Sequence, residues 1–144
     1  MSEKTKILLV EDESKILFTR ARILKSAGYE VIEVSTGKDC LEALKEHHPD
    51  LILLDIALPD MDGLEICRWI KADPVSQDIF VAVLSDSKTS LADQADGLGT
   101  RADGYIARPI SSRELLARVE SMVRIRQIKV QLTRVRDEWV RSFN

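Results

Sequence analysis

Along the chain, short apolar runs typical of strands alternate with apolar residues at helical spacing. This alternation is the feature that most constrains the fold. Short apolar runs predict five strands, Lys6–Val10, Glu30–Val34, Leu51–Asp55, Phe80–Ser85 and residues 103–107. Most of these runs are aliphatic on both faces, as in buried parallel strands, whereas the second alternates and is more exposed. Helical patterns separate them, and the short connections favour a parallel sheet with helices on both faces and right-handed crossovers.

Apolar residues recurring every three or four positions predict the helices. They lie around residues 14–27, 40–44, 64–70 and 91–98, and from "SSRELL" onward. Ser14 is the predicted cap of the first helix, and Gly28 fits the position just past its end. Ser111 or Ser112 can cap the last helix.

Composition predicts one core and no membrane span. With 144 residues and 44% hydrophobic content, the chain suits one well-packed core better than two domains. No apolar run is long enough to cross a bilayer, and the polar start "MSEKTK" is not typical of a signal peptide, so a cytoplasmic location is expected. Cys40 and Cys67 are too far apart in sequence for a CxxC site, and we expect free thiols.

Charge is unevenly distributed along the chain. Residues 1–110 carry 13 Lys and Arg against 20 Asp and Glu, whereas residues 111–144 carry 8 against 4. A basic tail can indicate nucleic-acid binding. Here the charges alternate with apolar residues at helical spacing, which favours the solvated face of a helix over a DNA contact.

Polar residues follow the predicted strands at one edge of the sheet. Glu11 and Asp12 come after the first strand, Asp55 ends the third, Ser85 ends the fourth, and Arg108 follows the fifth. Open parallel sheets bind ligands outside these carboxyl ends. Clustered carboxylates favour a hard cation such as Mg²⁺, and a carboxylate can also form an acyl phosphate. The alternative is that these are ordinary loop acids and helix caps.

Four segments together carry a family resemblance: "LLVEDE", "LILLDIALPDMDG", "VAVLSDS" and "ADGYIARPI". In this order and spacing they resemble the receiver domain of bacterial and archaeal two-component response regulators, over about residues 5–124. The resemblance implies a flavodoxin-like α/β fold, a doubly wound five-stranded parallel sheet with strand order 2-1-3-4-5. We divide the chain into a receiver domain, residues 1–124, and a C-terminal helical extension, residues 125–144.

The resemblance also implies roles for the acidic residues. Asp55 would be the phosphoacceptor, taking a phosphoryl group from a phosphohistidine on a sensor histidine kinase or phosphotransfer protein. Asp12, Asp55 and the backbone carbonyl of Ala57 would bind Mg²⁺, with Glu11 acting on the metal through water.

Other positions match the switching elements of the family. Ser85 stands at the hydroxyl position that contacts the phosphoryl oxygen, and Tyr105 at the aromatic position whose ring moves inward. Tyr105 could instead be a surface aromatic of its strand. Gly63 fits the loop after Asp55, where a positive φ costs glycine little. By resemblance alone, the Arg108–Pro109 bond is expected to be cis.

Three residues depart from the family pattern. Arg108 replaces the usual lysine, and its planar guanidinium can make two hydrogen bonds to a phosphoryl group. Asp86 replaces a small residue, and its charge either disfavours the phosphorylated form or points into solvent. Arg101 replaces glycine before the fifth strand, so that turn should differ, with Gly99 as a nearby flexible point.

The tail predicts a helix with one apolar face. Its apolar residues are spaced three and four apart, at Ile125, Ile128, Leu132, Val135 and Trp139. This is just over two heptads, short of a firm coiled-coil prediction. The helix either folds back on its own domain or continues outward, and we favour continuation, as a coiled-coil linker to a second copy or a further domain. From the absence of a helix stop signal at "RSFN" we expect the sequence to be a truncated piece of a longer chain.

The function predicted from the sequence is a phosphorylation-controlled signalling switch, not an enzyme beyond self-phosphorylation and autodephosphorylation. Phosphorylation would change the surface formed by the fourth helix, fifth strand and fifth helix, where homodimerisation is also plausible. The alternative is a phosphorylation-independent interaction or dimerisation module with an atypical site. A haloacid dehalogenase-like hydrolase would need a second aspartate at the position of Ala57, which disfavours that class. No helix-turn-helix or nucleotide-binding motif is recognisable in the sequence.

Overall fold

The protein is described by a computed structural model that covers residues 4–86 and 101–143. Strands and helices alternate along the chain: β1 Lys6–Val10, α1 Ser14–Ser26, β2 Glu30–Val34, α2 Gly37–Glu46, β3 Leu51–Asp55, α3 Gly63–Ala72, β4 Phe80–Ser85, β5 Gly104–Ala107, and a C-terminal helix, Ser112–Arg141. The helix predicted around residues 91–98 and Gly99 lie outside the described residues.

The five strands form one parallel sheet in the order β2-β1-β3-β4-β5, as the resemblance implied. Two apolar clusters cover its faces. Residues of α1 and the C-terminal helix pack on one face, around Leu9 and Leu53, and residues of α2 and α3 pack on the other, around Leu8 and Ile52. Because β3 lies in the middle and is buried on both faces, its end is held rigidly.

Helix ends differ from the sequence predictions in one case. Glu13, not Ser14, is the N-cap of α1, and it makes no side-chain capping bond, so the Ser14 prediction was wrong. Gly28 adopts a φ of 99° just past this helix, as expected. Ser111 caps the C-terminal helix, since its hydroxyl accepts a hydrogen bond from the amide of Glu114 at 3.1 Å.

Gly63 is required for a different reason than its predicted role. It is the first residue of α3, and its φ is not in the left-handed region. A Cβ at this position would lie 2.5 Å from the carbonyl oxygen of Asp55 and 2.6 Å from the Cα of Ile56. Gly63 therefore allows α3 to start against the end of β3, which fixes the loop beside the site.

The C-terminal helix is continuous for 30 residues. Its first half packs on the sheet through Leu115, Val119, Met122 and Val123. Further along, Arg126 contacts Asp50, with 3.3 Å between Nη1 and Oδ1. None of the helices in the described part of the chain combines the length and apolar character that a membrane span requires.

Candidate functional site

Four polar side chains meet at the carboxyl edge of the sheet, as the sequence predicted. Glu11 follows β1, Asp55 ends β3, Ser85 ends β4 and Arg108 follows β5. The exposed fractions of Glu11, Asp55 and Ser85 are 1%, 2% and 5%. Buried polar groups are costly unless they are paired or bind a ligand, so this concentration marks the edge as a candidate site.

The three predicted acids form one cluster. Carboxylate oxygens of Glu11, Asp12 and Asp55 lie within 4.8 Å of one another, with Asp12 the exposed member. Oε2 of Glu11 is buried and has no hydrogen-bond partner among the residues that the structure describes. An orphaned buried oxygen beside two further carboxylates fits a hard divalent cation such as Mg²⁺.

Burial sets the protonation of this cluster. Burial, and after it the neighbouring Asp55, together raise the pKa of Glu11 from 4.5 to about 8, while Arg20 and Arg108 oppose the shift. Near neutral pH, the Glu11 carboxyl therefore binds a proton more readily than a solvated one. A bound cation would favour the charged form instead.

Arg108 contacts acids through both terminal nitrogens of its guanidinium, whereas its buried Nε has no hydrogen-bond partner among the described residues. Nη1 lies 3.2 Å from Oδ2 of Asp55 and 3.6 Å from Oε1 of Glu11, whereas Nη2 lies 2.9 Å from Oδ1 of Asp86. Nη2 also lies 3.5 Å from Oδ1 of Asp55. Asp86 thus does not simply point into solvent, although its side chain is 82% exposed. A lysine would offer one point charge here instead of this bridging fork.

Arg20 is a second cation of the site, and the sequence prediction missed this role. It lies on the inward face of α1 with a side chain only 11% exposed, and its Nη1 is 3.8 Å from Oε2 of Glu11. The available signal was a charged residue in the apolar repeat of the first helix, between Leu17 and Leu24. Such a side chain requires an anionic partner if it points inward.

The remaining predicted residues are close to this cluster or next to it in the sheet. The amide of Ala57 donates to Oδ1 of Asp55 at 2.9 Å, which orients that carboxylate. The carbonyl oxygen of Ser85 accepts from the amide of Arg108 at 2.7 Å. Tyr105 is half-buried and packs against the apolar cluster on the α2 and α3 side. The Arg108–Pro109 bond is cis, as expected.

A groove of about 780 Å³ opens onto these groups between α1 and the start of the C-terminal helix. Its lining includes Asp12, Asp55, Ala57, Asp86 and Arg108. On one side, Asp60 accepts from the amides of Gly37 and Lys38 at 2.8 and 3.0 Å, which anchors the loop after β3 to the start of α2. The site is therefore a groove bordered by helices, and hydrogen bonds to α2 hold the loop after β3 in place.

Comparison with known families matches residues 7–120 to the response regulator receiver domain. The transcriptional regulatory protein GltR of Pseudomonas aeruginosa is 39% identical over 95% of this chain and 54% of its own length. PhoP of Bacillus subtilis, an alkaline phosphatase synthesis transcriptional regulatory protein, is 33% identical over 92% of this chain and 54% of its own length. The chain thus spans about half the length of these curated relatives.

Solved structures agree with this match. A CheY-like receiver domain protein from Methanospirillum hungatei has a TM-score of 0.78 at 29% identity, covering 88% of this chain and 99% of that one. The BeF3-activated DrrB receiver domain has a TM-score of 0.72 at 31% identity, covering 85% and 99%. The chain therefore belongs to the receiver domain family of two-component response regulators.

Proposed function

We propose that Asp55 is the phosphoacceptor of this receiver domain. The observation that carries this proposal is its position: a buried carboxylate at the end of the central strand, between two further acids and a guanidinium. A carboxylate oxygen of Asp55 would attack the phosphorus of a phosphohistidine. The P–N bond then breaks, leaving an acyl phosphate on Asp55 and a neutral histidine on the donor after it takes up a proton.

Glu11, Asp12, Asp55 and the carbonyl of Ala57 are the groups that would hold Mg²⁺. The orphaned Oε2 of Glu11 supports this assignment. When bound, the ion would neutralise charge on the oxygens of the transferred group. The protein's own contribution is to keep the acids together and to orient Asp55 through the amide of Ala57.

Arg108 and Ser85 are the proposed contacts of the transferred group. Arg108 already faces Asp55, so its fork could bind phosphoryl oxygens with two charge-assisted hydrogen bonds. Binding to the phosphoryl oxygens would move the guanidinium of Arg108 away from Asp86, and Asp86 would then be free to interact elsewhere. Ser85 would donate its hydroxyl to a phosphoryl oxygen, and Tyr105 would follow by moving inward as the aromatic switch.

The partners follow from this chemistry. A sensor histidine kinase or phosphotransfer protein would supply the phosphoryl group, and the open groove leaves room for its histidine. The chain would act as the recipient of this transfer, with self-phosphorylation from small donors and autodephosphorylation as its own activities. Because GltR and PhoP are named as transcriptional regulators, control of transcription by a longer protein is a natural output, without DNA contact by this segment.

We propose that residues 1–124 form the receiver domain and residues 125–144 a helical extension that transmits the signal. Its apolar side chains remain largely exposed: Ile128 by 59%, Leu132 by 64% and Trp139 by 64%. A helix with such an exposed stripe suits a coiled-coil linker, either between two copies or toward a further domain.

A phosphorylation-independent interaction module is not favoured. The groups needed for phosphoryl transfer meet at one edge, and Arg108 keeps the cationic function of the lysine that it replaces. Such a module would have no reason to keep three carboxylates within 4.8 Å of one another.

The test is phosphorylation by a small donor. The protein is incubated with acetyl phosphate, with Mg²⁺ or with EDTA, and its intact mass is measured. We expect one added phosphoryl group that requires Mg²⁺ and disappears in Asp55→Asn. Asp78→Asn, an exposed acid away from the site, is the matched control and should behave as wild type. An adduct that persists in Asp55→Asn, or none in the wild type, would contradict the proposal.

A further inference from the structure

The side chain of Arg20 is charged and largely buried, which is energetically unfavourable. It extends from the inward face of α1, where the neighbouring inward residues Ala21 and Leu24 are buried in the apolar core. Burial lowers the pKa of its guanidinium, and nearby Glu11 opposes this shift. A charge removed from water destabilises a protein unless a counter-charge compensates it, so the arginine requires a specific partner.

Glu11 is that partner. Arg20 approaches the Glu11 carboxylate oxygen that has no hydrogen bond from the other groups of the site. Nη1 of Arg20 lies 3.8 Å from Oε2, which has no hydrogen-bond partner among the described residues. Arg108 instead approaches the other oxygen of the same carboxylate, Oε1, at 3.6 Å. One carboxylate is therefore flanked by two guanidinium groups, and the distance from Arg20 is that of an ion pair without a hydrogen bond.

The effect of Arg20 follows from the balance of positive and negative charges at the site. Three carboxylates alone attract a divalent cation strongly and repel one another. Arg108 compensates one negative charge but is shared with the exposed Asp86. Arg20 adds a second positive charge, which pairs with Glu11 inside the cluster and has the exposed Glu13 as a weaker acidic neighbour.

We propose that Arg20 is a built-in counter-cation of the phosphoacceptor site, a positioning residue that holds Glu11 when no metal is bound and competes with Mg²⁺ for the acidic cluster. Arg20 thereby weakens Mg²⁺ binding and makes the metal-free site stable. This inference rests on the proposed function in assigning Mg²⁺ to Glu11, Asp12 and Asp55.

The experiment compares Mg²⁺ affinity and metal-free stability in variants of Arg20. Isothermal titration calorimetry gives the dissociation constant for Mg²⁺, and thermal unfolding is followed in EDTA and in saturating Mg²⁺. Arg20→Gln and Arg20→Met remove the charge, Arg20→Lys keeps it, and Arg22→Gln is the control, an exposed arginine on the same helix. Asp12→Asn reports whether the acids bind the metal at all.

We expect Arg20→Gln and Arg20→Met to bind Mg²⁺ about fivefold to tenfold more tightly, because a unit charge within a few ångströms is removed. Both should lose thermal stability in EDTA and regain most of it in Mg²⁺. Arg20→Lys and Arg22→Gln should stay within about twofold of wild-type affinity, on the same electrostatic argument.

Unchanged affinity in the neutral variants, equal destabilisation with and without Mg²⁺, or failure of both variants to fold in either condition would overturn the proposal, since Arg20 would then be purely structural. A wild type that binds no Mg²⁺ and accepts no phosphoryl group would instead contradict the proposed function. A wild type that binds Mg²⁺ through Asp12 while Arg20→Gln changes nothing would contradict only the role of Arg20.

Discussion

Arg101 adopts a φ of 60°, in the left-handed region where a side chain strains the backbone. Among the residues that the structure describes, its guanidinium contacts the carbonyl oxygen of Lys71, 3.4 Å from Nη2. Arg101 thus adopts the conformation that glycine would adopt without strain. That this turn differs from that of the family stays a prediction.

Replacing Arg101 by glycine should therefore stabilise the protein. We expect about 0.5–1 kcal/mol, since relief of strain exceeds the added flexibility of the unfolded chain. Urea unfolding measures the change. Arg101→Ala is the control, because alanine removes the side chain but retains the strain. Equal effects of both substitutions would show that the guanidinium, and not φ, determines the stability.

Glu11 gives the metal-free protein a specific pH dependence. Its pKa is raised from 4.5 to about 8 in the folded state, so the native protein binds a proton more tightly than the unfolded chain between these values. The free energy of unfolding therefore falls as the pH rises through this window. Glu11→Gln should remove this contribution, so that between pH 6 and 8 its free energy of unfolding should fall by about 1–2 kcal/mol less than that of the wild type.

Urea unfolding in EDTA tests whether the free energy of unfolding falls as the pH rises. The measurements run from pH 6 to about 8.5, a range that includes the raised pKa of Glu11. The free energy of unfolding should fall more steeply with rising pH in the wild type than in Glu11→Gln, and Mg²⁺ should restore the wild type. Glu13→Gln, an exposed neighbouring acid, should run parallel to wild type. Parallel curves for Glu11→Gln as well would mean that Glu11 is charged throughout and that burial does not control it.

At the residue scale, sequence reasoning placed the polar side chains of the site at one edge of the sheet, where the structure has them, but did not predict which of them pair. Glu11, Asp55, Ser85 and Arg108 were predictable because each follows or ends a strand of a parallel sheet. The ion pair between Arg108 and Asp86 was not predictable, since it depends on which way the long side chain of Arg108 turns. The inward direction of the Arg20 side chain was not predictable either, because an arginine in a helix can extend toward solvent.

At the scale of elements, the junction of β3 and α3 controls the geometry of the site. The strands themselves were predictable, because continuous aliphatic runs such as Leu51–Asp55 have few alternatives to a buried strand. The close approach of α3 was not, since the sequence shows a glycine but not which atoms it faces. The capping of α1 failed for a similar reason: a serine near a helix start does not define which residue is the cap.

Gly63→Ala should destabilise the protein by about 1–3 kcal/mol, as overpacking does. The added Cβ would meet backbone atoms of Asp55 and Ile56, which cannot rotate away. Gly104→Ala is the control, because its Cβ would meet Met122 Cε, the end of a flexible side chain, at 2.9 Å. Thermal unfolding compares the two. A larger loss for Gly104→Ala would contradict this assignment of Gly63.

At the scale of the whole molecule, the site and the exposed apolar stripe of the C-terminal helix lie at opposite ends. The acids gather at the carboxyl edge of the sheet, whereas Arg126 contacts Asp50, just before β3, at the other edge. The helix spans this distance without interruption, so it could carry a change near Ser111 to the stripe. The heptad spacing predicted a helical tail and favoured its continuation from the last helix of the domain, and the structure has one helix over Ser112–Arg141.

Self-association through this helix should depend on salt. The helix from Arg124 onward carries six Arg and Lys residues against Asp137 and Glu138, so two copies repel each other. A parallel pair would also bring Arg124 near Lys129 of the second copy. We expect a weak dimer whose population rises with ionic strength, measured by sedimentation equilibrium.

The control for this dimer compares the same substitution at two adjacent positions of the helix. Leu132→Glu should abolish it, because Leu132 lies within the apolar stripe, whereas Thr133→Glu, one residue further on, should leave the dimer in place. A strictly monomeric wild type at high salt would mean that a different partner covers the stripe.

The central claim is that Asp55 carries the phosphoryl group, and locating the adduct tests it most directly. After incubation with acetyl phosphate and Mg²⁺, borohydride reduction converts a phosphorylated aspartate to homoserine, which peptide mass spectrometry can assign to one position. The account predicts homoserine at position 55 and at neither position 12 nor position 86. Modification at another acid, with residue 55 unchanged, would contradict it.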